Sequence, residues 1–278
     1  VGGLLGTGHR LIVLEPSVVF VPAIMSTAVA GRLYVVIGQA LCVGDGHAIP
    51  SGAISSDWLH LGSIDGEPCF ARGESPPDGT TAVPLRQLYG VISDEDFAIA
   101  ARALGLLAWD RDHRHCGRCG APTERSPVER LRACTRCSHT AYPRLSPAVI
   151  VLVERDGRVL LARNARTKSP FHSVLAGFVE VGESLEECIA RELFEEAGIA
   201  VRDIRYFGSQ PWPLSSSLMI GFTAQWAGGE LVADPTEIFE ADWFAPGELP
   251  VVPPRLSIAR ALIDDFVHRH GTPTHIRP

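Results

Sequence analysis

Between Gly177 and Ile199 the chain reads Gly-Phe-Val-Glu-Val-Gly-Glu-Ser-Leu-Glu-Glu-Cys-Ile-Ala-Arg-Glu-Leu-Phe-Glu-Glu-Ala-Gly-Ile, a run that constrains both local fold and local chemistry. Ser184 with Glu187 three residues on is the pattern of a reciprocal helix cap, and Gly198 suits the left-handed residue that ends a helix. The sequence therefore predicts a helix over Ser184–Ala197. At roughly 100° per residue, Ile189, Ala190, Leu193 and Ala197 fall on one side and predict packing on a sheet. Glu192, Glu195 and Glu196 fall on an adjacent arc of roughly 100°. Like charges three or four apart destabilise a bare helix by roughly 0.2–0.5 kcal/mol per pair. Hard divalent cations would offset that repulsion, because carboxylate oxygens suit magnesium and manganese. A solvated acidic helix face is the plainer alternative.

The spacing of the whole run, Gly-x5-Glu-x7-Arg-Glu-apolar-x-Glu-Glu-x-Gly-apolar, resembles the signature of the Nudix hydrolase superfamily at every position. The resemblance implies an α+β chain whose Nudix domain is an α/β/α sandwich, with Mg2+ or Mn2+ held against a pyrophosphate. Carried over by position, Glu192, Glu195 and Glu196 supply metal-binding carboxylates and Ala176 a carbonyl ligand. Glu183 and Arg191 form an ion pair that orients loop and helix. Glu237 contributes a further metal ligand from outside the helix, with a surface carboxylate as the bland alternative.

A second run, Ser209-Gln210-Pro211-Trp212-Pro213-Leu214-Ser215-Ser216-Ser217, resembles the Ser-Gln-Pro-Trp-Pro-Phe-Pro-x-Ser motif of NAD(H) pyrophosphatases. Leu214 stands where that group has Phe, and Ser215 where it has Pro. Leu214 loses an aromatic face and Ser215 loosens a rigid turn, so substrate preference is expected to differ from the group's norm. The resemblance implies homodimers in which one subunit's ribbon completes its partner's pocket. It implies that Tyr142 and Phe178 sandwich a base of the dinucleotide, an arrangement suited to nicotinamide or adenine. Arg86, Glu129 and Ala259 match further ligand-contacting positions, as do Gln210 to Ser217 of the motif itself.

Cys116-x2-Cys119 and Cys134-x2-Cys137 are separated by fourteen residues. Two such turns facing each other offer four thiolates tetrahedrally, the arrangement of a structural Zn2+ site with no position left for water. A redox pair and unrelated buried cysteines are the alternatives. The other three of the seven cysteines are scattered, which is not a disulfide framework and points to a reducing, cytoplasmic setting. Between Arg111 and Arg144 there are eight arginines against Asp112, Glu124 and Glu129. That local positive charge favours nucleic acid as a partner, whereas a net charge of −7 for the chain does not.

Elsewhere the pattern is of short strands. Val18–Val21, Leu33–Ile37 and Ala82–Leu85 read as strands, and Ser75 to Gly79 as a loop. Ser93 caps a helix with Phe97, Ala100, Ala101, Leu104 and Leu107 as its apolar stripe. Ala148–Val153 and Val159–Ala162 form a hairpin across Asp156-Gly157. Strands follow near Ile204–Phe207 and Leu218–Trp226, then a helix near Ser257–His268. The apolar stretch from Val18 to Val43 is broken by Pro22, Arg32 and glycines and predicts buried strands, not a membrane span. No signal-peptide pattern is visible, and Val1 in place of Met reads as a trimmed start.

These readings divide the chain into an N-terminal domain (1–110), a zinc ribbon (111–144) and a Nudix domain (145–278). The expected reaction is hydrolysis of NAD(H) to nicotinamide mononucleotide and AMP, and removal of NAD caps from RNA. Two alternatives stay open: a Nudix hydrolase for another nucleoside diphosphate such as ADP-ribose, and a zinc-ribbon nucleic-acid-binding regulator.

Overall fold

The computed structural model describes residues 20–24, 26–166, 169–212 and 215–271. The described residues form two compact units: one takes those up to Leu145 together with Trp212, Ser215 and Ser216, the other those of Ser146–Pro211 and from Ser217 onward. Of the expected strand Val18–Val21, Val18 and Val19 lie outside the described residues.

The first unit opens with β1 (Phe20–Pro22), β2 (Ala30–Ile37), β3 (Ala40–Val43), β4 (Ser51–Ala53), β5 (Leu59–Ile64), β6 (Glu67–Gly73) and β7 (Thr81–Pro84). They form one sheet in the order β1-β5-β6-β2-β3-β7, with β4 also on β2. The β2–β6 pair is parallel and the other pairs are antiparallel. Among the described residues, no helix is long and apolar enough to cross a membrane. The first helix, α1 (Asp94–Asp112), starts where expected, with the Ser93 hydroxyl accepting the Asp96 N–H at 3.0 Å. Its buried face differs from the expected stripe. Ala101 and Leu107 are only half-buried, while Ile99, Ala103, Leu106 and Trp109 join Phe97, Ala100 and Leu104. A helix lying on a broad sheet covers more of its circumference than a narrow stripe anticipates.

The ribbon follows as β8 (Thr123–Arg125), β9 (Arg132–Cys134) and β10 (Thr140–Ala141), an antiparallel sheet in the order β10-β9-β8. It is fastened to the end of α1 by Asp110, which is 2% exposed. Arg125 reaches both Asp110 carboxylate oxygens at 2.8 Å, and Arg132 reaches Oδ1 at 2.6 Å. Arg132 also donates to the hydroxyl and carbonyl of Thr123. Arg130 spends its guanidinium on the carbonyls of Ala23, His60 and Leu61. With Arg136 on the Cys119 carbonyl and Arg111 on Asp112, five of the eight arginines counted as ribbon charge thus serve internal bonds. The surface is less basic than composition implies.

The second unit runs β11 (Ser146–Arg155), β12 (Arg158–Asn164), β13 (Leu175–Phe178), α2 (Leu185–Ala197), β14 (Ala200–Trp212), β15 (Ser217–Gly228), β16 (Ile238–Phe244) and α3 (Ile258–His270). Its sheet has the order β14-β15-β11-β12-β16, with β13 on β11, and β11–β15 is parallel. Asp156 and Gly157 make the hairpin turn with φ of 50° and 74°, the left-handed pair such a turn needs. Alternation along β11 builds both halves of the core. Val149, Val151 and Val153 face the cluster containing Ile189 and Leu193 of α2. Ile150 and Leu152 face the cluster containing Ile258, Leu262 and Phe266 of α3. A sheet buried on both faces between helices is the α/β/α sandwich expected from the sequence.

Burial pushes the Asp110 carboxyl up, but the two guanidiniums outweigh it and hold it below the usual carboxylate range. Its stabilising effect is present above its unfolded value of about 3.9 and is lost as pH falls through the lower folded value. Asp110→Asn leaves two part-buried guanidiniums without their charge partner, so it should cost about 3–5 kcal/mol in urea unfolding near pH 7. That deficit should shrink on acidification below about pH 4. A pH-independent deficit would mean that Asp110 acts by packing alone.

Candidate active site and metal centre

The four-cysteine cluster is the simpler of the two centres. The Sγ atoms of Cys116, Cys119, Cys134 and Cys137 all lie within 4.8 Å of one another. Gly120, with φ of 74°, closes the first turn, and the amides of Arg118, Arg136 and Cys137 donate to sulfur at 3.3–3.4 Å. N–H groups aimed at sulfur favour thiolate, and the Ala121 backbone and Arg136 hold the Cys119 thiol down at about 6. Four sulfurs at this separation are the donor set of a structural zinc site, closed to water and to catalysis.

The second centre is built on α2. The capping box is complete: the Ser184 hydroxyl accepts the Glu187 N–H at 3.2 Å, and Glu187 Oε2 accepts the Ser184 N–H at 2.8 Å. Gly198 ends the helix at φ 70°, where an added Cβ would also lie 2.9 Å from the Glu230 carbonyl. Cys188, Ile189, Leu193 and Ala197 form the buried face. Ala190, expected there, is exposed, and Cys188 takes its place by donating its thiol to the Phe178 carbonyl at 3.4 Å.

Arg191 organises the polar side. Its Nε and Nη2 grip the two Glu183 oxygens at 2.5 and 2.9 Å, and Nη2 also donates to the Phe178 carbonyl at 3.0 Å. Nη1 reaches Glu192 at 2.9 Å and Glu195 at 3.1 Å. Held by Arg191 and by the Glu180 N–H, the Glu183 carboxyl drops to about 2. Glu192 lies against the backbone of β13: a Cβ added to Gly177 would sit 1.8 Å from its Cδ. The motif glycine is therefore there for space, not for a turn.

Glu196 sits between these groups and the β15–β16 connection. Burial, then Glu192 and Glu237, push its carboxyl up to about 7. Glu237 ion-pairs with Arg166, and the Ala165 N–H donates to the Glu237 carbonyl at 2.7 Å. An Asx turn at Asp234, accepting the Thr236 N–H at 2.8 Å, shapes that connection. Glu192, Glu196 and Glu237 thus share one electrostatic neighbourhood. Glu195, 57% exposed on its side chain, lies at the margin with Arg191. Among the described residues, only the four cysteines bring three or more donor atoms within 4.8 Å of one another. The glutamates are grouped but each outer one is held by a guanidinium. A part-buried carboxyl whose proton affinity is raised by two neighbouring carboxylates is one that fits a hard cation. Arg166 and Asp234 were missed by the sequence reading, which had no spacing rule joining them to the helix.

Two pairs of the remaining expected site residues come together. Tyr142, 53% exposed, donates its hydroxyl to Glu129 at 2.7 Å, so those two are joined. Phe178, 57% exposed, stands at the end of β13 next to the Arg191 clamp. The Arg86 guanidinium lies 5.7 Å from the Trp212 ring centre. Gln210 is buried and commits its amide to the backbone: Nε2 donates to the Leu256 carbonyl and Oε1 accepts the Ile258 N–H, both at 2.8 Å. It fastens the start of α3 to β14. Ala259 is buried in the α3 core cluster, so its side chain faces packing. Pro211 and Trp212 end β14, Ser215 and Ser216 turn with Ser216 at φ 54°, and Ser217 starts β15 and is buried. Pro213 and Leu214 lie outside the described residues.

Comparison with known proteins agrees with this architecture. The chain matches family models described as a NUDIX domain over 143–266, an NADH pyrophosphatase zinc ribbon domain over 111–142 and an NADH pyrophosphatase-like rudimentary NUDIX domain over 38–109. The N-terminal sheet, with its one parallel pair among antiparallel ones, is in keeping with the last. The chain is 39% identical to the NAD-capped RNA hydrolase NudC of Deinococcus radiodurans over 88% of this chain and 91% of that protein. It is 41% identical to the protein of the same name from Klebsiella pneumoniae over 80% of this chain and 85% of that one. Among solved structures, a NUDIX hydrolase from Nitrosomonas europaea aligns with TM-score 0.50 and 25% identity, covering 56% of this chain and 92% of that one. With a relative this similar over nearly its whole length, with both cysteine pairs and with an unbroken glutamate helix, the chain belongs to the NudC family of Nudix hydrolases.

Proposed function

We propose that this chain hydrolyses the pyrophosphate of NAD(H), giving nicotinamide mononucleotide and AMP, and removes NAD caps from the 5′ ends of RNA. The observation that carries the reading is Glu196, a part-buried carboxyl on α2 that burial, Glu192 and Glu237 push up to about 7, beside the Arg191 clamp on Glu192. Such a cluster fits bound Mg2+ or Mn2+, which neutralises phosphate oxygens and acidifies water when present. Glu192, Glu195, Glu196, Glu237 and the Ala176 carbonyl would hold the cations. Arg191 and Glu183 fix the position of the carboxylates before substrate arrives. Proton acceptance from the attacking water falls to Glu195 or Glu237. The exposed rings of Phe178 and Tyr142 offer faces for a base, with Glu129 orienting Tyr142.

The enzyme is proposed to work as a cytoplasmic homodimer, with domains at 1–110, 111–144 and 145–278. Action on capped RNA is supported by the name of the D. radiodurans relative and by Arg114, Arg118 and Arg144, exposed on the ribbon. ADP-ribose is the second substrate to compare, because Leu214 and Ser215 depart from the NAD(H) pyrophosphatase motif.

Glu196→Gln should lower kcat for NADH with Mn2+ by about 100-fold or more while leaving the fold intact. Near-wild-type turnover would remove the helix from the chemistry. Gly177→Ala should displace the Glu192 carboxylate and cost about 100-fold in kcat, because a misplacement of about 1 Å is enough. An unchanged rate would show that the Glu192 position is not critical. Product analysis by chromatography decides the substrate: nicotinamide mononucleotide plus AMP is the expected pair.

A further inference from the structure

Arg166 stands in an unusual position for a surface arginine. It follows β12, with its backbone N–H donating to Asn164 Oδ1 at 2.8 Å, and its guanidinium ion-pairs with Glu237. The neighbouring Ala165 N–H donates to the Glu237 carbonyl at 2.7 Å, which ties this loop to the segment carrying the acid. The guanidinium also acts electrostatically on Glu196 and Asp234. Its side chain is 66% exposed, so it is not needed for packing. As a structural ion pair at that exposure it would contribute little to stability.

The competition for Glu237 gives it a different meaning. A divalent cation at Glu237 competes with the guanidinium for the carboxylate and repels it; Arg191 is pinned beside its glutamates by Glu183 and the Phe178 carbonyl, whereas Arg166 is exposed and free to swing away. Arg166 would then be released while its loop remains tied to Glu237 through the backbone. A released guanidinium beside a pyrophosphate has a matching partner, since its planar fork meets phosphate oxygens with two parallel hydrogen bonds. We propose that Arg166 is a substrate-binding residue that guards Glu237 in the cation-free enzyme and transfers to the pyrophosphate when cations bind. The inference rests on the reading of Glu192, Glu196 and Glu237 as cation ligands, and it assigns to the chain a phosphate contact outside the glutamate helix.

The test is made on the full chain, with Mn2+ alone first. Counting free Mn2+ by electron paramagnetic resonance, Arg166→Gln should bind Mn2+ about twofold to fivefold more tightly than wild type, because a competitor and a repelling charge are both gone. Arg166→Lys keeps the charge and should stay near wild type. With NADH as substrate at saturating Mn2+, Arg166→Gln should raise KM by about tenfold or more, with partial recovery in Arg166→Lys. A purely supporting role for Glu237 predicts the reverse for the metal, weaker Mn2+ binding in Arg166→Gln. Weaker or unchanged Mn2+ binding overturns the proposal whatever the substrate is. Tighter Mn2+ binding with an unchanged KM overturns its second half. Failure of the wild-type enzyme to cleave NADH while binding Mn2+ would count against the substrate reading and leave the metal result to decide the role of Arg166.

Discussion

One guanidinium governs the catalytic half of this protein. Arg191 holds both oxygens of Glu183, one oxygen each of Glu192 and Glu195, and the carbonyl of Phe178. Without it, the six glutamates between Glu183 and Glu196 would repel one another and splay toward water. With it, the loop before the helix, the helix itself and the end of β13 become one rigid piece. A single long-reach cation thus fixes the carboxylates of an acidic helix face in place. Lysine, with one compact charge, could not make five contacts in one plane.

The rest of the second unit serves to hold that piece still. β11 is buried on both faces, so neither α2 nor α3 can shift without opening core. Gly177 lets Glu192 lie flat on β13, and Gln210 fastens the opposite helix to the sheet. Rigid support of this kind suits a reaction in which the protein contributes placement and charge more than covalent chemistry. In the first unit the same economy appears around Asp110, where two ribbon arginines meet one buried carboxylate at the end of α1.

Local features were legible in the sequence because they depend on neighbours along the chain. The cap at Ser184, the stop at Gly198, the Asp156-Gly157 turn and the four-sulfur cluster all follow from spacings of a few residues or from paired knuckles. Long-range polar contacts were not legible. Glu154 meets Arg269 and His270 across more than a hundred residues, and Arg166 meets Glu237 across seventy-one. No periodicity encodes such pairs. Composition misled at the ribbon, where arginines counted as surface charge turn out to hold the fold. The short strands of the N-terminal sheet were mostly missed, because Gly and Pro interrupt alternation there as often as they end it. Ala190 shows the limit of projection: an even spacing rule placed it inward, whereas Cys188, one turn edge away, fills the space beside Phe178.

The proposed reaction stands or falls with cation binding by Glu192, Glu196 and Glu237. The direct measurement is anomalous scattering from a crystal of the enzyme soaked in Mn2+. Anomalous density is expected among the carboxylates of Glu192 and Glu196, with Glu237 turned toward it. Carboxylates pointing apart with no anomalous signal between them, in a crystal whose Mn2+ is seen elsewhere, would contradict it.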